Sequence, residues 1–358
     1  MIALGIWGNA LQIYITIPKI IKAPEEPVAE GLSFFSSVYR VFFNTLATSH
    51  MVAMGLIAAA LWGFSYHQTD FLKAKYYVEE KRNSFMNNAE VLRNHAVILA
   101  VAYMGLKFTS PIMSSLVKTT VLLHAVKMCV FSIILYVVMA VISCDTGEVV
   151  DLQGRKYVQP ECSQHCGCTS LWQEFTPVCI VDQMTTYLSP CHAGCTGVEE
   201  VGGVQVFANC SCGALVSHAT RGSCSINSCS GALQFHQILY TLLLSVSALA
   251  VQAHGSMLMR SVETQDQSVM LAMTGAVVAI FTFVFGHMIF VAIDGMNCVW
   301  VESGKCLLHS PRHFYLVSGV SGGMVMIACI ITITMLVSLK LSKRRKKKAQ
   351  ESLDESYI

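Results

Sequence analysis

The chain has 358 residues, 54% of them hydrophobic and only 13% charged, with a mean hydropathy of +0.54 and a net charge of +2. An ordinary soluble domain carries roughly a quarter charged residues, so this composition excludes a soluble globular protein and points to a polytopic membrane protein. The basic residues concentrate at the C-terminal end, so the net charge implies no nucleic-acid partner.

In chain order, Ile2–Ile17 opens as an apolar run stopped by Pro18 and Lys19, which predicts a first span within 1–22. A second covers 42–66, where Phe42 to Tyr66 carries no Asp, Glu, Lys or Arg. A hydrophilic stretch, 67–92, separates it from a third over 93–113, which contains Lys107. The fourth, 119–143, follows Lys118 and carries Lys127 in its first turns. Three more are predicted over 234–259, 269–293 and 313–339, each apolar but for a histidine or two. The expected organisation is therefore membrane spans over 1–143, a cysteine-rich domain over 144–233, spans again over 234–339, and a basic tail over 340–358.

Residues 144–229 hold eleven of the fifteen cysteines. No pair of CxxC knuckles stands at zinc-finger spacing, and so many cysteines between spans implies disulfides closed in an oxidising compartment. Lys343-Arg344-Arg345-Lys346-Lys347-Lys348 abuts the last span, which places the C-terminus in the cytoplasm. Counting spans back puts the cysteine block outside, as its chemistry requires. The hydrophilic stretch 67–92 then also lies outside, although it carries Lys73, Lys75, Lys81 and Arg82 against the same rule.

Inside the block the spacing is Cys162-x3-Cys166-x-Cys168, Cys179, Cys191-x3-Cys195, Cys210-x-Cys212, then Cys224 and Cys229. Those ten are expected to form bridges, with Cys144 at the membrane edge left over, free or paired elsewhere. Cys129 and Cys329 lie inside spans and read as apolar filling. The segment Pro177-Val178-Cys179 through Tyr187 to Cys191 and Cys195 resembles a Kazal domain. The usual Asp-Gly after Pro-Val-Cys appears as Asp182-Gln183, and protease inhibition is not expected.

Tyr187-Leu188-Ser189-Pro190-Cys191-His192-Ala193-Gly194-Cys195, followed by Asn209-Cys210-Ser211-Cys212, is similar to the extracellular signature of the organic anion transporting polypeptides. Ile293-Asp294 with Cys298-Val299-Trp300 and Gly304-Lys305-Cys306 resembles that family's last extracellular loop, and Arg260-Ser261-Val262 a cytoplasmic loop before it. The resemblance implies an all-α fold like the C-terminal half of a major-facilitator carrier, with a Kazal-like extracellular domain, in the plasma membrane. The family's first five spans have no counterpart, so the chain reads as a C-terminal portion. The implied activity is sodium-independent transport of amphipathic organic anions such as conjugated steroids, prostanoids or thyroid hormones. The alternative is a non-transporting membrane protein whose Kazal-like domain binds an extracellular partner. The resemblance pairs Cys168 with Cys191, Cys179 with Cys210 or Cys212, Cys162 or Cys166 with Cys195, and closes Cys298–Cys306. An arginine that family members carry in the inner part of the eleventh span has no counterpart in Met270–Phe281.

No phosphate-cradling glycine loop, nucleophile motif or metal-ligand spacing is present, so neither catalysis nor a cofactor is expected. Ionisable residues inside spans are costly and mark transport paths. His287, Lys107 and His124 are the candidates for the substrate path; His236 and His254, near span ends, read as interfacial. Thr274, Thr282, Ser245 and Ser247 read as helix–helix hydrogen-bonding groups, and Gly319-x3-Gly323 as a close-packing face. Asn209-Cys210-Ser211 is an N-glycosylation sequon. Ser356-Tyr357-Ile358 fits the C-terminal peptide that PDZ domains add as a strand.

Overall fold

The computed structural model describes residues 34–76, 115–144, 148–150, 152–153, 156–168, 176–201, 204–213, 217–224, 226–302 and 305–356. The spans expected over 1–22 and 93–113, with Lys107, fall outside them. Five described helices are long and apolar enough to cross a membrane. After α1 (Phe34–Phe42), these are α2 (Thr45–Tyr66), α4 (Lys118–Val141), α5 (Ile226–Met259), the composite α6 (Gln267–Ala279) and α7 (His287–Met296) joined by a π-helical segment Ile280–Gly286, and α8 (Arg312–Ser356). The short α3 (Gln68–Tyr76) follows α2 directly. The 234–259 span is thus part of a helix that begins eight residues earlier. The basic stretch expected as a tail continues α8 to Ser356.

Polar side chains fix one end of the bundle. Asn44 caps α2 by accepting from the Leu46 and Ala47 amides, and its Nδ2 donates to the Ser261 carbonyl at 2.8 Å. The Lys118 ammonium donates to the Arg260 carbonyl and the Arg260 guanidinium to the Leu116 carbonyl, at 3.1 and 2.8 Å. The starts of α2 and α4 therefore meet the α5–α6 turn. At the opposite end, which carries the disulfides, Phe64 packs in an aromatic cluster with Phe71, Tyr136 and Tyr240, ring centroids 5.2–6.2 Å apart. Such edge and tilted pairs add to the area they bury.

The seam between α2 and the α6–α7 helix is made by small residues. Gly55, Ala59 and Gly63 stand at i, i+4 and i+8 on one face of α2. Phe281 fills the space over Gly55, Gly286 lies against Ala59, and the Phe290 ring occupies the place a Gly63 side chain would take. The glycine pair singled out in α8 behaves differently: Gly319 and Gly323 have no described neighbour within 4 Å of a built-on Cβ, while Gly322 faces Tyr136 at 3.7 Å. On the same small-residue face of α8, Ser318 and Ser321 are buried with Gly322 against the bundle, while the tightest described contacts lie along the α2 seam.

The extracellular-type domain is built on a six-stranded sheet. Its strands are β1 (Glu148–Val149), β4 (Val178–Ile180), β5 (Thr185–Tyr187), β6 (Cys195–Val201), β7 (Val204–Cys210) and β8 (Ser217–Arg221), in the order β1-β5-β4-β8-β7-β6. β2 (Leu152–Gln153) and β3 (Lys156–Tyr157) form a separate hairpin, as do β9 (Cys298–Glu302) and β10 (Lys305–His309) before α8.

Six disulfides cross-link the chain: Cys144–Cys229, Cys162–Cys212, Cys168–Cys191, Cys179–Cys224, Cys195–Cys210 and Cys298–Cys306. Three of these differ from the Kazal-derived pairing. Cys195 faces Cys210 directly across the β6–β7 hairpin, so register decides its partner. That leaves Cys212 for Cys162, where the Ser211 hydroxyl donates to the Cys162 carbonyl at 2.7 Å. Cys179 in β4 is bonded to the turn just past its neighbour β8.

Cys166, expected to be bridged, is a free thiol, and Cys144 is not left over. Gly167 adopts φ 54° after the helical turn Glu161–Cys166, turning the chain so that Cys168 rather than Cys166 reaches Cys191. Cys144, at the end of α4, meets Cys229 at the start of α5. Gly194 is fixed twice over: its φ is +71°, and a Cβ there would strike the Ser211 hydroxyl.

Candidate functional site

Two groups of buried polar side chains lie in the helical bundle, one toward each end. Toward the end that carries the basic stretch, His50 of α2 and His254 of α5 are both fully buried, with their Nδ1 atoms 3.0 Å apart. The Thr332 hydroxyl of α8 donates to its own helix at the Ala328 carbonyl and lies 3.5 Å from His254 Nε2. These contacts select one tautomeric chain. Thr332 has spent its proton, so it can only accept from His254 Nε2–H; His254 Nδ1 then accepts from His50 Nδ1–H. His50 Nε2 is left as a buried lone pair with no described partner.

At the disulfide-bearing end, four side chains from four elements gather. His67 follows α2, Asp294 lies near the end of α7, His309 closes β10 and His313 opens α8. Asp294 Oδ1 lies 3.5 Å from His67 Nδ1, 3.5 Å from His313 Nε2 and 2.6 Å from His309 Nε2. The rings of His309 and His313 stack at 4.2 Å. All three histidines are buried, while Asp294 is 30% exposed and opens the group to one side.

Lys75 in α3 also sits at this end. Its ammonium donates to the Met139 and Ala140 carbonyls, at 2.6 and 2.8 Å, in the last turn of α4, and lies over the Phe314 ring at 4.7 Å. Burial lowers its pKa to about 8. A lysine that counts against the positive-inside pattern in the sequence is thus a helix C-cap.

Of the predicted path residues, the described His124 and His287 lie on different helices. His124 is half-buried on α4; His287 is exposed on α7, its ring 6.1 Å from that of Tyr66. His236 and His254, expected at interfaces, are both buried, His236 against Phe71 and Tyr76. Thr274 and Ser245 bond back into their own helices. The hydroxyls of Thr282, Ser247, Ser132, Ser318 and Ser321 are buried without a partner among the described residues. The π-helical segment Ile280–Gly286 breaks the regular ladder beside Thr282, and such segments recur where helices carry function.

In the disulfide domain, the signature motif has a structural basis. His192 is buried, its Nδ1 lies 2.7 Å from the Ser189 hydroxyl, and its ring meets Trp300 of β9 edge-on at 5.2 Å. The motif thereby joins the sheet to the hairpin before α8. Burial lowers the His192 pKa to about 4.

The arrangement agrees with comparisons to known proteins. The Organic Anion Transporter Polypeptide (OATP) family model matches residues 22–314. The solute carrier organic anion transporter family member 2B1 of Mus musculus is 34% identical over 118 residues, 32% of this chain and 17% of that protein. Its Rattus norvegicus counterpart has the same identity over the same shares. Family member 1A1 of Rattus norvegicus is 26% identical over 211 residues, covering 52% of this chain and 31% of that protein. Each matched stretch is thus well under half of the relative's length.

Proposed function

Because the chain belongs to the Organic Anion Transporter Polypeptide (OATP) family, we propose that it carries amphipathic organic anions across the plasma membrane, sodium-independently, supplying one half of a two-half carrier. One observation carries the reading: the match runs through 22–314, across the helices on both sides of the disulfide domain as well as the domain itself. A protein that merely displayed a Kazal-like module would need one anchoring span rather than several. In carriers of the two-half type, substrate binds near the midplane between halves that rock about it. The largely uncovered surface of the α6–α7 helix, apolar at Phe283, Phe285, Met288 and Val291, suits either lipid or an opposing half.

We assign the anion path to Lys107, His124 and His287, with His50 added for its unpartnered buried nitrogen. The tail reading puts the basic end of α8 in the cytoplasm. A PDZ partner that takes Ser356-Tyr357-Ile358 as an added strand would first unwind the last turn of α8, which is helical to Ser356.

The test is uptake of a labelled steroid sulfate into vesicles holding the full-length protein that contains this chain. Uptake should persist when choline replaces sodium and fall when His50, Lys107, His124 or His287 is changed to Ala. Vesicles that take up no organic anion in either salt would overturn the carrier reading and favour a partner-binding role for the disulfide domain.

A further inference from the structure

We propose that His67, Asp294 and His313 bind a zinc ion at the disulfide-bearing end of the bundle, with His309 bracing the carboxylate. The donor atoms His67 Nδ1, Asp294 Oδ1 and His313 Nε2 all lie within 4.8 Å of one another. The two nitrogens each stand 3.5 Å from Oδ1. Zinc holds imidazole nitrogen and carboxylate oxygen at about 2.0–2.2 Å in a tetrahedron, whose edge is then roughly 3.3–3.5 Å. Two edges of the set therefore match one coordination sphere, and the third, between the two nitrogens, is at most 4.8 Å.

The group's own contacts leave two of its imidazole nitrogens unsatisfied. His67 Nε2 and His313 Nδ1 have no hydrogen-bond partner among the described residues, and the other nitrogen of each ring reaches only Asp294 Oδ1, at 3.5 Å. His67 is 3% exposed and His313 not at all, so water does not satisfy them from bulk. Buried polar atoms are otherwise nearly always paired, and a cluster that is not asks for a missing partner. A mixed nitrogen and oxygen set suits zinc, whereas calcium and magnesium demand oxygen ligands in larger number.

His309 plays a different part. Its Nε2 lies 2.6 Å from the same carboxylate oxygen, too close to share an edge of the sphere. It braces the ligand from behind, as outer carboxylate and imidazole partners commonly do at metal centres. The partial exposure of Asp294 leaves access for the ion and room for a water in the fourth position. The ion would tie the end of α2 to the end of α7 and the start of α8, beside the Cys298–Cys306 bridge. This inference does not depend on the transport reading.

The experiment uses the full-length protein purified without a histidine tag, stripped with a chelator and titrated with zinc sulfate. About one zinc per chain should bind, the melting temperature should rise with zinc but not with magnesium or calcium, and cobalt should give the visible bands of a tetrahedral site. His313→Ala and Asp294→Asn should abolish binding, while His309→Gln should weaken it by roughly 10–100-fold. His254→Ala, at the opposite end of the bundle, should leave it intact. Wild-type protein that neither binds zinc nor gains thermal stability from it overturns the proposal without recourse to any variant. So does zinc that binds undiminished to His313→Ala, since the ion then sits elsewhere.

Discussion

Gly63→Ala adds one methyl group at the tightest point of the α2 seam. On a helix face with room, the change would favour folding by up to about 1 kcal/mol through helix propensity. At Gly63 the new carbon falls inside the Phe290 ring, which is 1% exposed and stacked on His67 with centroids 5.9 Å apart. The ring has little space to move, and overpacking of this kind costs about 1–3 kcal/mol. The net expectation is a loss of up to about 2 kcal/mol, or several degrees in melting temperature. Gly319→Ala is the matched control, because nothing described lies within 4 Å of its Cβ position. Thermal melts in detergent of wild type, both single variants and Gly63→Ala/Phe290→Leu would decide it. The double variant should recover part of the loss, since the smaller side chain vacates the contested space. The reasoning fails if Gly63→Ala melts at or above the wild-type temperature, or if both glycine variants behave alike.

Four further outcomes follow from the disulfide domain. The folded His192 pKa, about 4, lies below its usual 6.5. Stability is therefore full above about pH 6.5 and falls as the unfolded chain takes up the proton, by roughly 2 kcal/mol at pH 5; His192→Asn should lose this pH slope in thermal melts, and an unchanged slope would refute the assignment. Peptide mapping under non-reducing conditions should find Cys144 linked to Cys229 and Cys166 alone open to alkylation in that domain. Opening Cys144–Cys229, which closes 85 residues, should cost about 2–4 kcal/mol, less than its loop length alone implies because other bridges already shorten the loop. Asn209 is exposed at φ 56°, so deglycosylation should shift the mobility of wild type but not of Asn209→Gln, and identical mobility would show the sequon unused.

The helices were legible because a bilayer demands long apolar runs, and such runs are a local property of the sequence. Helix ends were less so: the basic stretch after Leu339 has good helix formers and simply continues α8. Pairing of cysteines was not legible, since Cys195 and Cys210 meet through strand register and Cys144 and Cys229 through the packing of two helices. The His67, Asp294, His309 and His313 group draws on segments more than 200 residues apart. Its one local signal is His309-x3-His313. In α2 the Gly55, Ala59, Gly63 stripe was as visible as Gly319-x3-Gly323, but only the first has a bulky partner opposite. Spacing proposes a groove; whether something fills it depends on the neighbouring helix.

The length of α8 sets where the chain sits in depth. Forty-five helical residues span about 68 Å, more than twice the roughly 30 Å of hydrocarbon in a bilayer. The surplus carries Lys343 to Lys348, every one of them exposed. Six consecutive residues on a helix turn through about 500°, so these charges form a collar around the rod rather than a stripe along it. A collar cannot be drawn into hydrocarbon by rotating the helix, whichever face turns inward. It acts as a stop: α8 can tilt or swivel in the bilayer, but it cannot slide toward the disulfide domain without burying charge.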